Sequence, residues 1–258
     1  MTTESLTIPA HQWDPGNTAT LEPLRQKWKT VPSALGRITT TDMQAMTDDD
    51  LLSYWKEQVH LSTTGDSFSA RGWYHELYKP IFKGKKILDV GAGLGFDTLT
   101  FAQHGAEVTL LDIVPENVEI TTRLAQLLGV RDHAHSFWMK DLSSLTQLPN
   151  DYDVIWCQGS LINAPFDFVR EEIQALLKHL PIGGRWIELA YPKERWVREG
   201  SLPFEKWGEK TDGKGTPWVE WYDLDKLKLA LTPAEFNTVL SFNFRDHEFN
   251  WFDLIRRK

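Results

Sequence analysis

The stretch Lys86–Asp97, KILDVGAGLGFD, decides the fold. Ile87, Leu88 and Val90 form an apolar run carrying one acid, Asp89. Glycines then fall at alternate positions, Gly91, Gly93 and Gly95, before a helical pattern resumes at Phe96. This reads as a strand, a tight turn and a helix start. Glycine belongs there because the backbone turns sharply with φ values that a Cβ opposes, and because a ligand can then lie on the main chain. A nucleotide-like cofactor is the first expectation. The dinucleotide fingerprint asks for a small residue at position 96, where Phe96 stands, and the third glycine comes one residue early. No Lys-Ser or Lys-Thr pair follows, so a P-loop is excluded as well.

Outward from this stretch the chain alternates strand and helix. Strands are expected at Lys86–Val90, Glu107–Asp112, Ala134–Met139, Asp153–Cys157 and Arg185–Tyr191, with helices at Phe96–His104, Pro115–Leu128 and Asp167–Leu180. That alternation implies an α/β fold with a mostly parallel sheet and helices on both faces. Pro115 suits a first helical turn, and Gly105, Gly129 and Gly183 suit helix ends. A helix at Asp223–Leu231 and two strands, Asn237–Arg245 and Glu248–Arg256, finish the chain. Only Asp246 and His247 separate the last two, so they form an antiparallel hairpin.

Residues 1 to about 45 read as an arm or irregular cap, with Leu21, Leu24 and Trp28 the main periodicity. Thr47 and Asp50 resemble a capping box for a helix over Asp48–His60. A second helical pattern, Trp73, Leu77 and Tyr78, should stop at Pro80. Residues 1–84 thus make an N-terminal arm and helical cap, and 85–258 the main domain. Acids outnumber bases 36 to 28, a formal charge of -8, which disfavours nucleic acid as a partner. The lone cysteine, Cys157, sits in an apolar run and reads as a reduced core residue. The first residues lack a basic leader and an apolar core, and no apolar run reaches the roughly 18 residues of a membrane span. A cytoplasmic protein with no membrane partner is expected.

The acid-x-Gly-x-Gly-x-Gly pattern of Asp89–Gly95, at the end of a buried strand, resembles motif I of the class I S-adenosylmethionine-dependent methyltransferases. The resemblance covers about residues 85–258 by topology. It implies a Rossmann-like sheet of seven strands whose C-terminal hairpin is antiparallel, with S-adenosylmethionine as cofactor. Ligands of such open sheets sit at the carboxyl ends of the strands. The resemblance assigns Gly91, Ala92 and Gly93 to the cofactor turn, Asp89 to ordering that turn and reaching the ammonium group, and Asp112 to the ribose diol. It assigns Asp141 to the adenine amino group, Leu142 and Ile113 to the adenine ring, and Gln158 and Gly159 to the methionine tail. Each acid has a plainer use: Asp112 at a strand-to-helix turn, and Asp141 as a helix cap.

The reaction implied is in-line methyl transfer to a small molecule, at oxygen or nitrogen, without a metal. A protein or RNA methyltransferase on the same fold is the alternative. Asn163-Ala164-Pro165-Phe166 looks like the Asn-Pro-Pro-Tyr/Phe motif of amino-group methyltransferases, but it lies too far beyond the fourth strand. Metal-dependent catechol-type enzymes need acids where Gln158 and Tyr191 stand. For proton acceptance His75 is favoured, one turn from Arg71 in ARGWYHELY, with Tyr191 as a further catalytic candidate. Tyr74, Trp196 and Asn163 are candidate substrate contacts. The aromatic stretch 192–222 reads either as a substrate lid or as a surface excursion pinned to the core by its large residues. Glu188, a charge inside a central strand, needs a partner such as Arg185 or Arg195.

Overall fold

The computed structural model describes residues 18–30 and 38–258. Expectations for the arm at residues 1–17 and 31–37 lie outside the described residues. The strands are β1 (Lys86–Val90), β2 (Glu107–Asp112), β3 (Ala134–Trp138), β4 (Val154–Gln158), β5 (Arg185–Ala190), β6 (Phe236–Phe244) and β7 (Phe249–Arg256), in one sheet of order β3-β2-β1-β4-β5-β7-β6. The expected α/β architecture is met, including the antiparallel hairpin at the end of the chain. The chain divides into two compact units, residues 28–139 and residues 140–258 with the segment up to Lys27. Within the first of these units the helices before β1 pack on those that follow it.

In the unit of residues 28–139, β1 pairs in parallel with β2, and β2 with β3. Alternating apolar residues put Ile87, Leu88, Val108, Leu110 and Leu111 in the core. Helices α2 (Thr40–Gln44), α3 (Asp48–Thr63), α4 (Gly72–Phe82), α5 (Phe96–Gln103) and α6 (Pro115–Leu127) surround them in sequence. Thr47 caps α3 as expected, its hydroxyl accepting from the Asp50 amide at 3.2 Å. Pro80 does not end α4. It lies in the last turn, where its missing N–H removes one bond, while Phe82 packs against Tyr78 and Phe101, ring centres 5.1 and 5.0 Å away.

In the other unit β4 pairs in parallel with β5, and β5 and β6 flank β7 antiparallel. The core is aromatic: Trp156, Trp186, Trp207, Trp251 and Tyr222 are fully buried. The hairpin turn is longer than the two residues expected. Arg245, Asp246 and His247 all take positive φ, a run of left-handed residues connecting Phe244 to Phe249. Helix α1 (Thr18–Thr30) replaces the irregular arm expected there, burying Leu21 and Leu24. Within 192–222 two helices form, α8 (Lys193–Arg198) and α9 (Phe204–Asp212). The run from Gly208 to Asp212 is the end of α9. Helices α7 (Phe166–Leu176) and α10 (Leu224–Leu231) complete the unit.

Candidate active site

The glycine turn after β1 has the geometry its composition requires: Gly91, Gly93 and Gly95 take φ of 71, 55 and 66°. A Cβ on Gly95 would stand 2.4 Å from Thr121 Cγ2, so no larger residue fits there. The Gly91 and Ala92 amides donate to the Leu111 carbonyl at 2.8 and 3.2 Å. The turn is closed by an acid. Asp112, at the end of β2 and 4% exposed, accepts from the Gly93 amide through Oδ2 and from the Val114 amide through Oδ1, both at 2.8 Å. Burial pushes its carboxyl up to about 6, against the pull of these backbone donors. Ile113 beside it is half-buried, and its carbonyl accepts from Trp138 Nε1 at 3.2 Å.

Beneath the turn lies a second group of charges. Asp89 is buried and accepts from the Thr98 hydroxyl at 2.5 Å. Burial, and then the neighbouring Asp97 charge, push it well above the usual carboxylate range. Asp97 Oδ1 accepts from Arg71 at 2.7 Å and from His75 Nε2 at 2.6 Å. This arrangement bears on two expectations. His75 is 2% exposed, with Nε2 on Asp97 and its ring packed on Phe101 and Tyr74. Tyr74 is 1% exposed and belongs to the core. The charged neighbour of this group to which the sequence reading assigned no role is Arg71. Its side chain keeps 28% exposure, and its charge acts on Asp97, Tyr74 and Asp89. Only its place one turn before His75 in ARGWYHELY hinted at it.

In the unit of residues 140–258, β4 ends on Gln158, whose two amide atoms are buried with no hydrogen-bond partner among the described residues. Ser160 Oγ is in the same state. Gly159, between them, takes φ of 72° and donates to the Leu189 carbonyl at 3.0 Å. Buried polar atoms are costly without partners. Asp141 caps the short turn over Leu142–Gln147: its Oδ1 accepts from the Ser143 hydroxyl at 2.6 Å and the Ser144 amide at 3.0 Å, and these bonds hold its carboxyl below the usual range. The side chain of Leu142 beside it is half-buried.

Two further predicted residues are brought together here. Tyr191 donates its hydroxyl to Asp212 Oδ1 at 2.7 Å, and Asn163 Nδ2 donates to Asp212 Oδ2 at 3.3 Å. Arg195 lies over the Tyr191 ring, 4.3 Å from its centre. Trp196 donates to the Leu202 carbonyl and stacks near Phe204 and Trp221, so it pins α8 to its own loop. Glu188 takes neither expected partner. Trp186 Nε1 donates to its Oε2 at 2.8 Å, while Arg185 pairs with Asp253 and Arg195 with Glu199 and Glu248. Among the described residues no group of three or more His, Cys, Asp or Glu side chains is placed to hold a metal ion, and no helix is long and apolar enough to cross a membrane.

Residues 87–184 match the family model described as a methyltransferase domain. Over that stretch the chain resembles a methyltransferase domain. The sheet order, the glycine turn and the acid at the end of β2 stand where the sequence resemblance expects them, and class I methyltransferases use S-adenosylmethionine as cofactor. Over 90 residues the chain is 34% identical to the mitochondrial ubiquinone biosynthesis O-methyltransferase of Schizosaccharomyces pombe, covering 34% of this chain and 32% of that one. Over 94 residues it is 31% identical to the ubiquinone biosynthesis O-methyltransferase of Bordetella bronchiseptica, covering 36% and 38%. The matched stretch thus spans about a third of the length of these relatives. Among solved structures, the magnesium protoporphyrin IX methyltransferase of Synechocystis PCC 6803 with bound SAH aligns with a TM-score of 0.55 and 17% identity, over 94% of this chain and 96% of that one. At that identity the likeness is one of fold.

Proposed function

We propose that the protein is an S-adenosylmethionine-dependent methyltransferase acting on a small molecule, with oxygen or nitrogen as acceptor and no metal in the reaction. The observation that carries this reading is the buried Asp112 carboxylate at the end of β2, folded onto the Gly93 amide of the glycine turn. An acid with raised proton affinity, beside a turn of left-handed glycines, suits the two hydroxyls of a ribose, since one carboxylate accepts from both. When bound, the cofactor supplies a methyl group on a positively charged sulfur. Asp89 would hold its ammonium group, directly or through water. Arg71 is the cation suited to its carboxylate, and Gln158 offers an amide that lacks partners. Ala92 and Gly93 lie in the glycine turn and Ile113 beside it is an apolar group suited to the adenine; by the resemblance, Gly159 and Leu142 are the further cofactor candidates. Asp141 is the remaining acceptor for its amino group, although its Oδ1 already serves as a cap.

Because the methyl group is already electrophilic, the chain's own work is to exclude water, align the acceptor and take one proton. Tyr191, Asn163 and Trp196 supply polar and aromatic groups for that purpose, with the stretch 192–222 as substrate wall. The names of the relatives support an oxygen acceptor. The acidic balance and the single buried Cys157 suit a reducing, cytoplasmic setting. Titration calorimetry with S-adenosylhomocysteine tests the reading: wild-type protein binds, and Asp112→Ala, still folded by circular dichroism, does not. Equal binding by both proteins would remove Asp112 from the site.

A further inference from the structure

We propose that the protein forms a two-fold symmetric dimer through the outer edge of β6, which pairs antiparallel with β6 of a second copy. The inference goes beyond the methyltransferase reading and does not depend on it. Strand β6 ends the sheet order, and among the described residues it pairs with β7 alone. At nine residues it is the longest strand of the sheet, an edge of about 30 Å. Its residues Asn237, Thr238, Val239 and Ser241 are exposed, Val239 by 51%. An open edge presents N–H and C=O groups as a template for a further strand, and chains that stay single guard it with lysine, inward charge or proline. The run FNTVLSFNF carries no charged residue and no proline, in a chain that is 25% charged. Its one guard is a bulge: Thr238 faces Leu254 and Leu240 faces Asp253, so Val239 is an extra residue that bends the strand. The residue placed there is itself apolar.

The order of residues along the strand selects a second copy of this chain as the partner. Phe236-Asn237 opens the strand and Asn243-Phe244 closes it, so its ends mirror one another about Leu240. Two antiparallel copies meeting at Leu240 set Phe236 against Phe244 and Asn237 against Asn243, and symmetry makes each pair twice. Cross-strand aromatic pairs stabilise a ladder, and facing amides both donate and accept. Asn243 Nδ2 already donates to Asn250 Oδ1 at 3.2 Å, which leaves its own Oδ1 to accept from Asn237. Just outside the strand the same register sets Glu235 of one copy against Arg245 of the other, opposite charges at both ends. Both side chains are exposed and available for this. Glu235 meets Lys258 at 3.5 Å in a surface pair of little strength, and Arg245 has no ion pair among the described residues. A formal charge of -8 makes two copies repel one another, and an uncharged strip with opposite charges at its ends is where that repulsion is least. A contact of this symmetry uses up the edge that makes it, so assembly stops at two.

One strand edge is small for an interface, so association is expected at micromolar concentration. Sedimentation velocity of the full chain from about 2 to 200 μM should show the mass rise from one chain towards two. Val239→Lys puts a charge into the strip and should weaken association about tenfold or more, with the circular dichroism spectrum and thermal midpoint unchanged. Glu235→Arg and Arg245→Glu each set like charges together at both ends, and each should weaken the dimer about fivefold or more. An equimolar mixture of these two variants should regain the association of the wild type, since a copy of one then meets a copy of the other with opposite charges at both ends. A variant that had merely misfolded would not be restored by mixing. A single chain mass at every concentration would overturn the proposal and leave the edge to a strand of another protein. Association unchanged in Val239→Lys and in both charge variants would put the interface elsewhere, and a mixture no more associated than its parts would exclude the antiparallel register; either result overturns it.

Discussion

Replacing Asp112 with asparagine changes one oxygen into an amide nitrogen and leaves the volume of the side chain alone, so its consequences follow from charge and donor count. The wild-type carboxylate accepts from two backbone amides at 2.8 Å, one on each oxygen. In Asp112→Asn one of those amides faces an NH2 group, donor against donor, at a cost of about 1–3 kcal/mol. Against this, the carboxyl sits at about 6 instead of 3.8, so keeping it ionised in the folded protein at pH 7 costs about 3 kcal/mol that the neutral amide avoids. The two nearly cancel, and the thermal midpoint should move by only a few degrees. Ligand affinity has no such compensation. Losing charge-assisted acceptance from a ribose diol removes about 2–3 kcal/mol, roughly thirty- to a hundred-and-fifty-fold in Kd. Adenosine is the right probe in calorimetry, because it carries the diol without the amino-acid tail and so reports on Asp112 apart from Asp89. Wild-type affinity for adenosine should also fall about tenfold per pH unit below 6, as the carboxylate acceptor is lost, and this dependence should vanish in Asp112→Asn. A variant within threefold of wild type at pH 7, or a wild-type affinity flat from pH 5 to 7, would refute the assignment.

Arg71→Gln should weaken S-adenosylhomocysteine about tenfold or more and leave adenosine unchanged, since only the former has a carboxylate for the guanidinium; equal losses for the two ligands would make Arg71 a structural residue alone. Binding of S-adenosylhomocysteine at pH 7 should release up to one proton, because Asp89 is held protonated by burial and an arriving ammonium favours its ionised form; calorimetric enthalpies in phosphate and Tris should therefore differ, and identical enthalpies would count against Asp89 as the partner. Glu188, 1% exposed, is pushed up to about 8 from 4.5 by burial, so the folded chain holds a proton that the unfolded chain loses, and stability should fall as pH rises from about 4.5 to 8. Glu188→Gln removes that linkage, and its urea midpoint should gain on wild type between pH 5 and 8.5 by the equivalent of a few kcal/mol. A constant gap between the two proteins would mean that Glu188 titrates normally.

The parts of this site that were legible in the sequence are the parts governed by local backbone chemistry. Three alternate glycines after an apolar run can hardly be anything but a turn of positive φ, and an acid closing the next strand falls beside that turn because parallel register places Val90 opposite Leu111. Side-chain partnerships across long sequence distances left no such trace. Arg71 and Asp97 are 26 residues apart, and Asp212 lies 21 residues from Tyr191 and 49 from Asn163. The burial of Tyr74 and His75 was also hidden. Polar aromatics close together resemble a binding wall, whereas helix α4 turns that face inward and Asp97 supplies the bond that lets a histidine stay there. Glu188 shows the converse: a lone acid in a buried strand seemed to demand an arginine, but an indole N–H and a held proton answer the same need.

The charges around the glycine turn account for one another once the cofactor's own charge is included. Asp89, Asp97 and Asp112 are all buried in one unit, with Arg71 and His75 on Asp97, and burial raises the proton affinity of both Asp89 and Asp112. A fold selected for stability alone would replace such acids with neutral side chains, because each costs free energy that nothing local returns. On the proposed reading, S-adenosylmethionine would bring a sulfonium and an ammonium against one carboxylate, a net positive charge that ionised acids at this turn attract. After transfer the sulfonium is gone and the ligand is neutral overall, so the same acids would hold the product less firmly than the donor, which favours exchange of spent cofactor for fresh.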